Sequence, residues 1–299
     1  MELDATMVTA SQTRKAERLV LQAIAAHPVL GQKLVLKGAH AIEALTGTAR
    51  STRDIDLTAR ERFVQPGKDG AAYLKKALRE ALEDYIEKCD NKWSVYQTSA
   101  TPSPSARPHR YGWDGYTLKA TLQHLNSRHH VVEIDLSFGD LTDGTVFLEW
   151  RDASIVITNT HPAGALPCYS VEQALAEKLR AWLQKLPPYL NKIGSSEAPP
   201  RVRDLRDIHV LLEMDPSALD WDLLGRSFVD KCKVRFVDCC STADLLPEGV
   251  SLDLVRSLYE DEDALRDVPF DRAWESIHGL VTRLHERGAM PGIVPLPEP

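Results

Sequence analysis

Long apolar runs are missing from this 299-residue chain: no stretch approaches the roughly eighteen residues that a membrane-spanning helix needs, and Met1-Glu-Leu-Asp4 has no basic, then apolar, leader character. The expectation is a cytoplasmic protein with no membrane partner. Cysteine is scarce. Its five positions (Cys89, Cys168, Cys232, Cys239 and Cys240) contain no C-x-x-C pair, and their odd number argues against a disulfide framework, so they read as free thiols. An excess of positive charge is also absent. With a formal net charge of −7, a polynucleotide substrate would have to be gripped by local patches. Candidates are Arg50, Arg53, Arg60 and Arg62; Arg107, His109 and Arg110; and Arg201, Arg203 and Arg206, each of which also reads as an ordinary solvated face. The G-x-x-x-x-G-K-[ST] phosphate loop is missing, and His40, His109, His129, His130 and His209 show no metal-ligand spacing.

What remains is a folded-protein composition, 43% hydrophobic and 26% charged, with length enough for two lobes at roughly 150 residues each. Apolar periodicity predicts a helix from Gln12 to Ala26, stopped by His27-Pro28. A short strand at Lys33–Leu36, a Gly turn at Lys37-Gly38, a helix over Ala39–Leu45 and a strand carrying Asp54 follow. A long amphipathic helix around Ala71–Lys88 precedes three strand-like runs near Lys92–Thr98, Tyr116–Leu125 and His130–Phe138. The three prolines of Thr101–Pro108 suggest a mobile connection. After a short strand at Ile155–Ile157 the pattern turns helical, which places a domain boundary near residue 165, between lobes 1–165 and 166–299.

The chemistry-bearing residues sit on these elements. In an extended Ser51-Thr-Arg-Asp-Ile-Asp-Leu57, Asp54 and Asp56 project from one face while Ile55 and Leu57 pack on the other. Paired carboxylates suit a hard divalent ion such as Mg²⁺, although an isolated Asp-x-Asp is also common on surface strands. Glu133-Ile-Asp-Leu-Ser-Phe138 alternates in the same way, making Asp135 a candidate third carboxylate or an ordinary half-exposed acid. In Val171–Leu183, capped by Ser170 with Gln173 in a capping-box pattern, Lys178 falls on the apolar stripe. Its ammonium must either meet an anion, such as a triphosphate, or snorkel to water. On the helix that follows Arg203, Asp204 lies nearer the apolar edge than Asp207, which is expected to pair locally with Arg203 or Arg206.

Four blocks in order, Leu36-Lys-Gly-Ala-His-Ala-Ile42, Ser51-Thr-Arg-Asp-Ile-Asp-Leu57, Glu177-Lys-Leu-Arg-Ala181 and Arg203-Asp-Leu-Arg-Asp-Ile208, resemble those of the AbiEii/AbiGii toxins. That family belongs to the DNA polymerase β-like nucleotidyltransferases. The resemblance implies an α+β protein: a minimal nucleotidyltransferase lobe with a mixed β-sheet and flanking helices, followed by an all-helical C-terminal lobe. It implies Mg²⁺ dependence (with Mn²⁺ as a substitute), a nucleoside triphosphate co-substrate, tRNA 3′ ends as acceptor, and a cognate antitoxin as partner. Carried over by position, Asp54 and Asp56 match the metal-binding pair, Lys178 the nucleotide-contacting lysine and Asp204 the helical catalytic aspartate, while Asp135 is the third metal candidate on strand alternation alone. Lys37, Gly38 and Thr52 fall where the nucleotide is bound. This chain departs from the family pattern at Gly38-Ala39-His40, where relatives have Gly-Gly followed by Ser or Thr, so a hydroxyl contact to phosphate is lost. Acceptors other than RNA, such as a protein hydroxyl or a small molecule, and a catalytically inactive binding module are the competing expectations.

Overall fold

The computed structural model describes all residues except 1, 49–53, 90–91, 105–113, 126–127, 141, 152–153, 196–198, 216 and 298–299, and no side-chain detail for 1–11 and 154. The chain divides into two compact units. One comprises Met1–Ala41, Thr52–Asp140 and Thr145–Cys168, and the other Ile42–Ser51, Leu141–Gly144 and Tyr169–Pro299.

The first unit is built on an eight-stranded mixed sheet. Helix α1 (Glu2–Ala26) and the short α2 (Leu30–Lys33) lead into β1 (Leu34–Lys37) and α3 (Gly38–Thr46). Strand β2 (Asp54–Ala59) is followed by α4 (Lys68–Cys89), then β3 (Trp93–Ser103), β4 (Gly115–His124), β5 (His129–Ser137), β6 (Val146–Arg151), β7 (Ser154–Thr158) and β8 (Leu166–Cys168). The strands lie in the order β3-β4-β5-β2-β1-β8-β6-β7. β2 runs parallel to β5 and β1 parallel to β8, and the remaining pairs are antiparallel.

Alternation decides which face each strand buries. Ile55 is buried, and Leu57, Leu118, Ile134 and Leu136 meet Ile24 of α1 and Leu74 and Leu78 of α4 in one apolar layer. Period 2 then forces the intervening residues, Asp54, Asp56, Thr117, Lys119, Glu133 and Asp135, onto the opposite face, where none is buried. That opposite face carries the candidate site.

Three local readings differ from the pattern-based ones. Helix α1 begins at Glu2, ahead of the periodic stretch. Strand β3 continues through Thr101–Ser103, which the prolines had suggested was a connection; β3 is an edge strand, where a missing ladder N–H is tolerated. Residues 105–108 of that expected connection lie outside the described residues. Strands β6 and β8 were not anticipated, and β8 sits just beyond the expected boundary.

The second unit is helical: α5 (Val171–Leu183), α6 (Pro187–Ile193), α7 (Val202–Glu213), α8 (Trp221–Arg235), α9 (Leu252–Glu260) and α10 (Phe270–Glu286), with two short 3₁₀ turns. Ser170 caps α5, its hydroxyl accepting from the Gln173 N–H. Nearly every residue of α5 from Gln173 onward is buried, because α7 and α8 both pack on it. None of the five cysteines forms a disulfide, and no helix among the described residues is long and apolar enough to cross a membrane.

Candidate active site

The carboxylates of Asp54, Asp56 and Asp135 converge, each offering an oxygen within 4.8 Å of the others. The convergence follows from register. β2 and β5 are parallel, with Asp56 opposite Asp135 and Asp54 opposite Glu133, and same-face side chains of paired residues stand about one strand spacing apart, ~4.8 Å. Asp54 comes from two residues back on the same face.

Glu133 is equally placed by register but is turned away, its carboxylate 2.6 Å from the Lys119 ammonium on β4. Asp135 instead accepts a hydrogen bond from the Thr117 hydroxyl at 3.0 Å, a neutral partner that leaves its charge in place. Three like charges this close repel unless a cation sits among them, and a set of carboxylate oxygens is what hard divalent ions take.

The turn after β1 is shaped around this cluster. Lys37 is paired with Asp56 across β1 and β2. Gly38 has φ of +68°, and a Cβ there would lie 2.0 Å from an Asp56 carboxylate oxygen, so both backbone conformation and space demand glycine. The Lys37 ammonium contacts the Asp140 carboxylate at 2.6 Å and the Ser137 hydroxyl at 2.8 Å, and that hydroxyl also donates to Asp140. Ser137 shares the open face with Asp135, so a lysine held by β5 and the residues after it borders the three acids. Thr52 lies outside the described residues, as do Arg50, Arg53, Arg107, His109 and Arg110.

Within the helical unit, Lys178 does not snorkel. Its side chain is 6% exposed, and its ammonium sits 2.9 Å from Asp204 and 2.7 Å from Asp207, themselves 1% and 0% exposed. Asp204 also receives the Arg201 guanidinium at 2.9 Å, and Asp207 faces Arg206 at 3.7 Å. Arg206 in turn forks onto Asp267, whose carboxyl it holds below the usual range. Asp207 thus pairs with Arg206 as expected, but from a buried position, since the inward face of α7 is wide enough to bury both aspartates. Of the proposed Arg patches, Arg206 is buried, Arg203 pairs with Glu262, Arg60 donates to the Thr145 hydroxyl and Arg62 pairs with Asp114.

Thr117 and Asp140 were missed in the sequence because both acquire their places only through strand register and a turn. Asp207 had a usable signal, since it stands three residues from Asp204 and one before the buried Ile208.

A candidate nucleotidyltransferase from H. pylori matches this fold with a TM-score of 0.51 at 14% identity, covering 93% of this chain and 96% of that one. The Helicobacter pylori protein JHP933 matches at 0.50 and 14%, covering 93% of each. MenT4, a nucleotidyltransferase toxin from Mycobacterium tuberculosis H37Rv, aligns at 0.45 and 15%, covering 90% and 91%. No curated protein matches significantly. Residues 19–285, most of the chain, match the profile described as nucleotidyl transferase AbiEii toxin, type IV toxin–antitoxin system. The chain therefore belongs to the AbiEii family of nucleotidyltransferase toxins.

Proposed function

We propose that this protein transfers a nucleotide from a nucleoside triphosphate to the 3′ end of RNA, with tRNA as the acceptor. The transfer would block translation in the cytoplasm until a cognate antitoxin intervenes. The observation that carries the reading is the convergence of Asp54, Asp56 and Asp135 beside a turn where only glycine fits.

An acceptor hydroxyl attacks the α-phosphorus, a new O–P bond forms, the bond to the β-phosphate oxygen breaks and pyrophosphate leaves. Asp54, Asp56 and Asp135 would hold Mg²⁺ or Mn²⁺, which supplies charge stabilisation for the entering and leaving oxygens. Lys37 and Gly38 take the triphosphate, Lys37 through its ammonium and Gly38 through the N–H groups of the turn that opens α3. Thr52 is assigned a hydroxyl contact from the family block. His40, in place of the usual Ser or Thr, removes one such contact and is expected to affect nucleotide preference. Lys178 and Asp204 are retained as residues that transfer requires. Their mutual ion pair supports treating them as one unit, with Asp207 as its third member.

The test is incubation of purified protein with total tRNA, Mg²⁺ and each α-labelled nucleoside triphosphate. Label in tRNA that disappears with Asp54→Ala is the expected result. Label in a protein band or a small molecule would replace the acceptor, and no label anywhere would sink the transferase reading.

A further inference from the structure

The open face that carries the three acids continues outward over β4 and β3. Register aligns its residues in rows: Thr117 with Asp135, Lys119 with Glu133, Thr121 with Val131 and Gln123 with His129, with Ser94, Gln97, Ser99 and Thr101 of β3 beyond. The helices cover the other side of the sheet, since α1 packs on β5 and α4 on β3 and β4. At the outer end, where a bulge between Val95 and Gln97 re-aims the edge strand, the Tyr96 ring stacks on His129 with centroids 4.1 Å apart and an interplanar angle of 30°. Tyr96 is 61% exposed and Val131, two residues along from His129, 56%. Two cations mark the same end: Arg128 immediately precedes His129, and Lys92, at the foot of β3, accepts the Leu125 N–H at its backbone carbonyl, one residue past β4.

We propose that this strip is a stacking platform for a single-stranded stretch of the RNA acceptor, so that Tyr96 and His129 fix the strand whose terminus reaches the acids. The inference rests on RNA being the acceptor. Two things favour a nucleic acid over a protein here. Exposed rings on a polar sheet face offer bases a π surface, and Lys92 and Arg128 complement phosphate. Continuity gives the direction, because His129 and Asp135 lie on one face of one strand. Six residues at ~3.3 Å separate them by about 20 Å, the length of about six stacked nucleotides at ~3.4 Å each. The hydroxyls and amides between them, Thr117, Thr121 and Gln123, suit a sugar–phosphate backbone without sequence readout.

The test is fluorescence anisotropy of the full chain with a labelled single-stranded RNA of about ten nucleotides, longer than the strip, without nucleotide. Tyr96→Ala and His129→Ala are each expected to weaken binding about tenfold, while Tyr96→Phe retains it. In label transfer the alanine variants should raise KM for RNA far more than they lower kcat. Their thermal melting should match the wild type, since both side chains are exposed. Unchanged Kd and KM in both alanine variants would overturn the platform even if the wild type labels RNA. Weakened binding in a protein that labels no RNA would keep the platform and sink the transfer reading. A change in sedimentation of the free protein in these variants, without a change in RNA affinity, would make the strip a protein interface and overturn the proposal.

Discussion

Two clusters of carboxylates in this chain are built on opposite electrostatic plans. On the sheet face, the half-buried Asp54, Asp56 and Asp135 converge on one point, and Asp135 accepts from the neutral Thr117 hydroxyl. In the helical unit, Asp204, Asp207 and Asp267 are matched by Lys178, Arg201 and Arg206, with Lys178, Arg206 and the first two aspartates almost wholly buried. A cluster balanced within the protein is a folding element that fixes the positions of its members. Three carboxylates converging on one partly exposed point are instead a donor set that a cation from outside can take. Equivalent substitutions in the two should therefore have different signatures, which is how the contrast can be broken or sharpened.

The largest expected effect is on catalysis. Asp56→Asn should lower label transfer about a thousandfold, ~4 kcal/mol in the barrier, with no loss of stability by urea denaturation. Next comes Lys178→Met, which removes the ammonium that two buried carboxylates share and should cost about 3–5 kcal/mol of stability in the same experiment. Adding Asp207→Leu to it should recover much of that loss, because Asp204 keeps Arg201, while transfer stays absent. A fully stable single Lys178→Met variant would mean that the helical cluster is not balanced as described.

Gly38→Ala should lower both activity and melting temperature, by about 1–3 kcal/mol in stability, since the new Cβ meets the Asp56 carboxylate at a positive φ. Without added cation, Asp56→Asn should raise stability by about 1 kcal/mol through relief of repulsion, the opposite sign to Asp207→Asn in the wild type, where Lys178 would lose a partner.

The smallest effect is with pH. His27 accepts the Val29 and Leu30 N–H groups at its Nδ1, and burial pushes its pKa below the ordinary value, outweighing Glu80 and Asp84. Its depressed folded-state pKa means that this contribution is full above about pH 6.5 and is lost as pH falls further. His27→Asn should flatten the corresponding part of the stability–pH curve, and an unchanged slope between pH 7 and 5 would contradict it.

How legible each region was follows from the range of the interactions involved. Asp54 and Asp56 share a face by local alternation alone, and Lys178 declared itself by sitting on a stripe whose phase Ser170 fixes. Asp135 needed the parallel register of β2 and β5, which nothing local encodes. Thr117, which holds Asp135, needed a second register on top of it. Strand β8 is three buried residues, too short to show any period, and β6 reads Val-Phe-Leu-Glu-Trp-Arg without clean alternation. The proline-rich end of β3 misled because sequence does not reveal which strand will lie at an edge. Asp207 was expected to pair only along its own helix, and it does meet Arg206, but its shorter contact is with Lys178 of α5, which no pattern local to α7 reveals.

The most direct test of the central claim is calorimetric titration of Mg²⁺, with a non-hydrolysable nucleoside triphosphate present, into the wild type, Asp56→Asn and Asp207→Asn. Binding that is lost in Asp56→Asn but survives in folded Asp207→Asn is the expected result. Equal binding by the wild type and Asp56→Asn would contradict the claim that the sheet-face carboxylates hold the ion.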